Sequence, residues 1–266
     1  MNFSVYNNTF PIGSLYANMT SGIKSSMPVN FKHDAVSVGR DLDKLLDNSV
    51  ITDMINSNPV ITKMLKDRNI QPKIDVENFK KTTYQHCMDT RNNAAGIYNY
   101  LPVDLKADAN IKYIQKGALL HDIGKVLIPS KILNKNGRLT PEEADVMHLH
   151  SKLSDAMLST QNIEPEVLNI VKYHHQNKKG TGYPEIKNTI SGFDINTEVV
   201  ALADKYAALK EKRSYKAPMS DEQALSIIKE QVDKGEINPR VFNALVGFVN
   251  SKTAVPNVVK GTAAVA

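Results

Sequence analysis

Tryptophan is absent and cysteine occurs once, at Cys87. A single thiol excludes an internal disulfide and any thiolate-rich zinc site within one chain, and it suits a reducing compartment. No apolar run approaches the ~20 residues that a membrane span requires, so no membrane partner is expected. The first charged residue is Lys24, and both the basic start and the compact apolar stretch of a secretory signal are missing. Together these absences predict a cytoplasmic protein. Strand signals are equally scarce, because no segment alternates cleanly between apolar and polar residues over several positions. Excess charge is small as well. The 266 residues carry a formal net charge of +5, spread along the chain, which suits an anionic small substrate without calling for a nucleic acid polymer.

What is present is enough apolar material for one good core: 41% of residues are hydrophobic and 23% charged, the proportions of a globular chain rather than a disordered one. The expected fold class is all-α. Residues 1–30, rich in Asn, Ser, Thr and Gly, read as a disordered tail. Residues 31–70 read as a short helical extension. There, Val50-Ile51-Thr52-Asp53-Met54-Ile55 is faintly echoed by Val60-Ile61-Thr62-Lys63-Met64-Leu65, and Asn58-Pro59 gives an N-cap followed by Pro at the first helical position. Residues 71–250 read as the main helical domain and 251–266 as a second disordered tail. Within the domain the pattern predicts helices over 76–101 and 108–120, then one from the capping box Thr140-Pro141-Glu142-Glu143 to about Ser159. Further helices are predicted from Pro165 to His174-His175, over 197–212, after the Ser220/Gln223 cap, and from Pro239 to about Asn250.

The chemistry gathers around Ala118-Leu119-Leu120-His121-Asp122-Ile123-Gly124-Lys125. An imidazole beside a carboxylate offers a nitrogen and an oxygen ligand to one divalent ion, and the second carboxylate oxygen is free to reach another. Lys125 adds a compact cation for an anionic oxygen held there. On these eight residues alone a helix end that merely finishes in polar residues remains an alternative. The wider chain adds to the metal reading. Six of the seven histidines fall in the helical domain, and His86, His121, Asp122, His150, His174, His175 and Asp204 supply five imidazoles and two carboxylates. That is about what two divalent ions need when one carboxylate bridges them. His148 stands two positions from His150, about 200° around a helix, so both cannot point into one site. His33-Asp34 repeats the central pair in a polar context and reads as surface.

These motifs, in this order, resemble the HD phosphohydrolases and, within them, the HD-GYP group of cyclic dinucleotide phosphodiesterases. The resemblance rests on His121-Asp122-Ile123-Gly124-Lys125, Pro129, Ile132-Leu133-Asn134-Lys135, Gly137-Arg138-Leu139-Thr140, His150, His174-His175, Gly182-Tyr183-Pro184, Ala203-Asp204-Lys205-Tyr206 and Arg213-Ser214-Tyr215-Lys216. It implies an HD-domain helical bundle and two divalent metal ions. The first would be held by His86, His121, Asp122 and Asp204, the second by Asp122, His150, His174 and His175. Nitrogen and oxygen ligands without thiolate favour iron or manganese at least as much as zinc. It also implies hydrolysis of a cyclic dinucleotide, most directly cyclic di-GMP. Asp122 and Lys125 would serve the chemistry, Tyr183 would offer a flat face to a base, and Arg213 and Lys216 would hold phosphates.

The chain departs from the family pattern at four places. Thr82, Gln176, Lys179 and Ala207 stand where the group usually has acidic residues. Thr82 removes a carboxylate associated with a third metal. Two alternatives therefore stay open: an HD hydrolase acting on another nucleotide or phosphomonoester, and a non-catalytic nucleotide-binding sensor. A homodimer is compatible with the sequence, which carries no signal for assembly.

Overall fold

Helix follows helix with no strand among the described residues, which are 41–185, 193–211 and 218–253 of a computed structural model. Numbered in chain order, the helices are α1 (Asn48–Ser57), α2 (Pro59–Lys66), α3 (Val76–Thr82), α4 (Tyr84–Asn99), α5 (Val103–Ala107) and α6 (Ile111–Leu120). A 3-10 turn (Ile123–Leu127) comes next. It is followed by α7 (Ser130–Leu133), α8 (Pro141–Leu158), α9 (Pro165–Tyr173), α10 (Ile195–Lys210), α11 (Asp221–Asp233) and α12 (Pro239–Thr253). No helix among the described residues is long and apolar enough to cross a membrane.

The caps fall where the sequence places them. Asn58 accepts from Val60 N at the start of α2, and reciprocal capping boxes open α8 at Thr140/Glu143 and α11 at Ser220/Gln223. Each such cap is worth about 1 kcal/mol, because it satisfies backbone N–H groups that the first turn leaves without partners. Of two helices expected from periodicity, one is divided and the other starts late. The 76–101 stretch breaks at Thr83, whose φ of −123° lies outside the helix. Two adjacent β-branched residues hold a helix poorly there, and the Thr82 hydroxyl ties back to Asn78 O at 2.7 Å. The 108–120 stretch becomes helical only at Ile111, because Asn110 caps it through Lys112 N and Tyr113 N. Smaller shifts occur at two ends: Asp194 caps α10 through Thr197 N, and α12 continues to Thr253.

The core is laid down between α4, α6, α8, α9 and α10, with the 3-10 turn pressed against α8. At Gly124 in that turn, an added methyl group would stand 2.3 Å from His150 O and 2.6 Å from Ser154 N. Only glycine permits this approach, which Gly124 N secures by donating to Ser154 Oγ at 2.8 Å. α1 and α2 bury Ile51, Met54, Ile61 and Leu65 in the same hydrophobic cluster as Leu119, Leu120, Ile123, Leu149 and Leu153. Arg68 reinforces that contact with two hydrogen bonds to the Asp145 carboxylate, of 2.7 and 3.2 Å.

Candidate metal centre

The seven ligand-type residues come from five places in the fold and meet in one. His86 lies on α4, His121 at the C-cap of α6 with Asp122 directly after it, and His150 on α8. His174 is the C-cap of α9, His175 follows it, and Asp204 lies on α10. Two helix C-termini thus point at the cluster, and their partial negative charge favours a cation there. All but His175 are buried.

Backbone geometry fixes three of the imidazoles. The Nδ1 atoms of His121, His150 and His174 lie 2.7 Å from the carbonyl oxygens of Ala118, Met147 and Val171, each three residues back along the helix. A carbonyl only accepts, so each Nδ1 carries a proton, and whenever the ring is neutral its Nε2 turns a lone pair inward. The inward nitrogens are close together. His150 Nε2 is 3.3 Å from His174 Nε2 and 3.1 Å from His175 Nε2. Two imidazole nitrogens bound to one ion at about 2.0–2.1 Å lie roughly 3 Å apart, so this spacing fits a shared cation.

Asp122 connects the two halves. Its Oδ2 lies 3.1 Å from His121 Nε2 and 3.8 Å from His86 Nε2, whereas Oδ1 lies 3.3 Å from His150 Nε2. Asp204 accompanies the first half, with Oδ1 2.8 Å from His86 Nε2 and 3.7 Å from His121 Nε2, and reaches His175 Nδ1 at 3.8 Å through Oδ2. Ligand atoms of His86, His121 and Asp122, of Asp122, His150, His174 and His175, and of His121, His174 and Asp204 lie within 4.8 Å of one another in each group. Two buried atoms that face the cluster, His121 Nε2 and Asp122 Oδ1, have no hydrogen-bond partner. Polar atoms are seldom left so in a folded interior. The donor set and these atoms fit a bound divalent metal.

Charge in the cluster is balanced on a small scale. Burial pushes the Asp122 carboxyl up, but His121, Lys125 and His150 outweigh it and hold it well below the ordinary carboxylate range. Lys125 Nζ sits 2.6 Å from Asp122 Oδ2, and that carboxylate keeps the ammonium protonated in spite of burial. Burial drives His150 down to about 4 and His174 to about 3. His121 goes the other way: burial alone would lower it, but Asp122 and Asp204 beside it raise it to about 10.

The loop after His175 forms the outer wall. A methyl group on Gly182 would meet His175 O at 2.1 Å, so the chain can double back this tightly only with glycine there. Gln176, buried, clasps the loop by donating from Nε2 to Pro184 O at 2.6 Å and accepting from Gly182 N at 3.0 Å. A carboxylate in its place could not make the first bond. Tyr183 is stacked on His175 (centroids 4.6 Å apart, planes at 30°) and on His148 (3.9 Å, 20°). Two near-parallel imidazoles this close to one ring cannot share a face, so they cover both.

The expectation that Tyr183 presents a bare face to a base is corrected by that sandwich. Helical phase admits only one of His148 and His150 to the cluster, and the family resemblance implies His150; His148 indeed lies outside it, yet it touches the site through Tyr183, a contact between distant segments that no local pattern signals. Thr82 has its hydroxyl committed to Asn78 O and offers no carboxylate. Arg213 and Lys216 lie outside the described residues, as do residues 1–30 and His33-Asp34.

Comparison with known proteins adds a family and relatives. A family profile described as the HD domain matches residues 51–241. The chain is 40% identical over 144 residues to a protein of Vibrio cholerae named a probable cyclic di-GMP phosphodiesterase, covering 49% of this chain and 31% of that one. It is 38% identical over 148 residues to a cyclic di-GMP phosphodiesterase of Thermotoga maritima (53% and 39% covered). It is also 37% identical over 159 residues to a 3'3'-cGAMP-specific phosphodiesterase of Vibrio cholerae (57% and 30%). The matched region thus spans between 30% and 39% of the length of these relatives. A solved structure described as a HDG"Y"P protein from Bdellovibrio bacteriovorus shares the fold, with a TM-score of 0.55 at 15% identity, covering 90% of this chain and 78% of that one.

Proposed function

Since the chain belongs to the HD-domain family, we propose that it is a metal-dependent phosphodiesterase that opens a cyclic dinucleotide, cyclic di-GMP first among them. The observation that carries this reading is the division of Asp122, one oxygen toward His121 and His86 and the other toward His150. That division suits a carboxylate shared by two divalent ions, the first also held by His86, His121 and Asp204, the second by His150, His174 and His175. Iron or manganese fits this donor set, in which Cys87 takes no part. When bound, such ions supply a water of lowered pKa and neutralise charge on phosphoryl oxygens.

The chain's own groups do the rest. The imidazoles of His121, His150 and His174, pinned through Nδ1, hold their geometry without reorganising, and the carboxylates of Asp122 and Asp204 supply the negative charge that keeps the cations in place. Lys125 stands at the rim of the cluster with a protonated ammonium that an anionic phosphoryl oxygen can meet. Arg213 and Lys216 are assigned to the substrate's phosphates on family resemblance alone. The names of the curated relatives support a cyclic dinucleotide as substrate, and the single, buried Cys87 supports a cytoplasmic setting.

The test is product analysis of the purified full chain, loaded anaerobically with iron or manganese, on cyclic di-GMP, 3'3'-cGAMP and a phosphomonoester. Turnover of a cyclic dinucleotide well ahead of the monoester is expected. Cleavage of the monoester alone, or of nothing by protein with a full metal complement, overturns the proposal.

A further inference from the structure

The sandwich around Tyr183 raises a question that the metal centre does not answer, namely what receives the base of a nucleotide substrate. Tyr183 cannot, because His175 lies on one face and His148 on the other. Its ring is also turned edge-on to His150, at 6.1 Å. The three rings form a column that starts at a candidate metal ligand, His175, and runs outward to His148, which is solvent-exposed. No other described ring lies against the outer face of His148.

We infer that His148 is the stacking platform for a purine base of the phosphoester substrate, and thereby a residue that selects nucleotides over smaller phosphodiesters. The inference rests on the phosphodiesterase reading and deepens it. A base laid on His148 would sit about 3.5–4 Å beyond that ring, extending the column by one more member while its phosphate stays at the cluster. Tyr183 holds the platform in place: sandwiched on both sides, its ring stops the imidazole from folding back toward the metal ligands. Stacking of this kind tolerates different bases, since every base has a π-face, and it favours purines by their larger overlap. A platform of this type fits the sequence logic as well. His148 stays out of the ligand set while standing two residues from His150, close enough for one ligand to touch both neighbourhoods.

The test uses the full, manganese-loaded chain and the variants His148→Ala and His148→Phe. With cyclic di-GMP, His148→Ala is expected to raise KM about 10-fold or more with kcat nearly unchanged, in line with the loss of one base stack. His148→Phe keeps a flat ring and should restore KM. Hydrolysis of methyl p-nitrophenyl phosphate, too short to reach from the cluster to the outer ring, should stay within about twofold of wild type in both variants. A second readout needs no turnover: a cyclic dinucleotide carrying 2-aminopurine should lose fluorescence on binding to wild type and to the Phe variant, and much less on binding to the Ala variant. Unchanged KM and unchanged quenching in His148→Ala overturn the assignment. Equal losses on the cyclic dinucleotide and the small diester also overturn it, since the ring would then only prop Tyr183. The two proposals fail separately: quenching by wild type and His148→Phe but not by His148→Ala, without hydrolysis, supports His148 as a base platform and overturns the phosphodiesterase.

Discussion

His150 Nε2 and His174 Nε2 face each other across 3.3 Å, although each ring has already committed its Nδ1 proton to a backbone carbonyl. Two lone pairs held this way repel unless positive charge lies between them. Neither ring can relieve the contact by changing tautomer without leaving a buried carbonyl without its donor, which costs about 1–3 kcal/mol. The local helix geometry of α8 and α9 thus prepares a cation site before any cation arrives.

Without metal, the same groups should set the pH dependence of stability. The depressed His150 and His174 make the native state refuse protons that the unfolded chain accepts, so stability falls as pH drops below about 6.5 toward their values of about 4 and about 3. The raised His121 contributes stability that is complete below about 6.5 and is lost as pH climbs toward its value of about 10. Chelator-treated protein should therefore show its highest melting temperature near neutrality and decline on both sides. A melting temperature still rising at pH 9 would contradict the assigned electrostatics.

Gly124→Ala should damage the site from outside it. The added methyl group meets the His150 carbonyl and the Ser154 amide at 2.3 and 2.6 Å, both backbone atoms that cannot swing aside. The 3-10 turn must move off α8, and Asp122 moves with it. Overpacking of this kind costs about 1–3 kcal/mol, and metal affinity should fall by more than the stability change alone explains. Calorimetric unfolding combined with metal titration separates the two effects. Native metal affinity in this variant would show that the close approach is incidental.

The helices α1 and α2 supply no candidate ligand but fill the core behind His121. Leu65→Ala should cost about 2–5 kcal/mol, since Leu65 is fully buried in the cluster that includes Leu119 and Leu120. At a temperature where the variant is folded, its kcat should match wild type. Deletion of residues 1–30, which contain no candidate ligand, should leave turnover unchanged. A large loss of kcat in folded Leu65→Ala would mean that the core behind His121 tunes the chemistry.

Thr82 carries a prediction about products. Without a carboxylate one turn before His86, hydrolysis of cyclic di-GMP should stop at the linear dinucleotide, and Thr82→Glu should let some of it proceed to GMP. Chromatography of the reaction over time checks both. Rapid accumulation of GMP by wild type would show that the missing carboxylate does not limit the second cleavage.

Much of the fold was legible in the sequence. Patterns of period 3.6 and capping residues located the helices from neighbours alone, while the grouping of His121-Asp122, His174-His175 and Asp204 into one candidate site came from the order of motifs that resembles the HD family. The helix break at Thr83 and the late start at Ile111 were missed because the apolar periodicity runs across them, although their causes, the adjacent Thr82-Thr83 pair and the capping Asn110, are local. The sandwich of Tyr183 between His148 and His175 was invisible for a different reason. It joins α8 to a loop more than thirty residues later, and only packing brings the three rings together. The role of Gln176 also needed the structure, since a donor to Pro184 O has no meaning until the loop is closed.

The most direct test of the central claim is the number of divalent ions bound per chain in anaerobically purified protein, measured for wild type and Asp122→Ala alongside cyclic di-GMP turnover. Two ions in wild type are predicted, with Asp122→Ala retaining at most one and losing at least about 100-fold in turnover. Wild-type protein that hydrolyses cyclic di-GMP with no bound metal, or an Asp122→Ala variant that keeps two ions and full activity, would contradict the account.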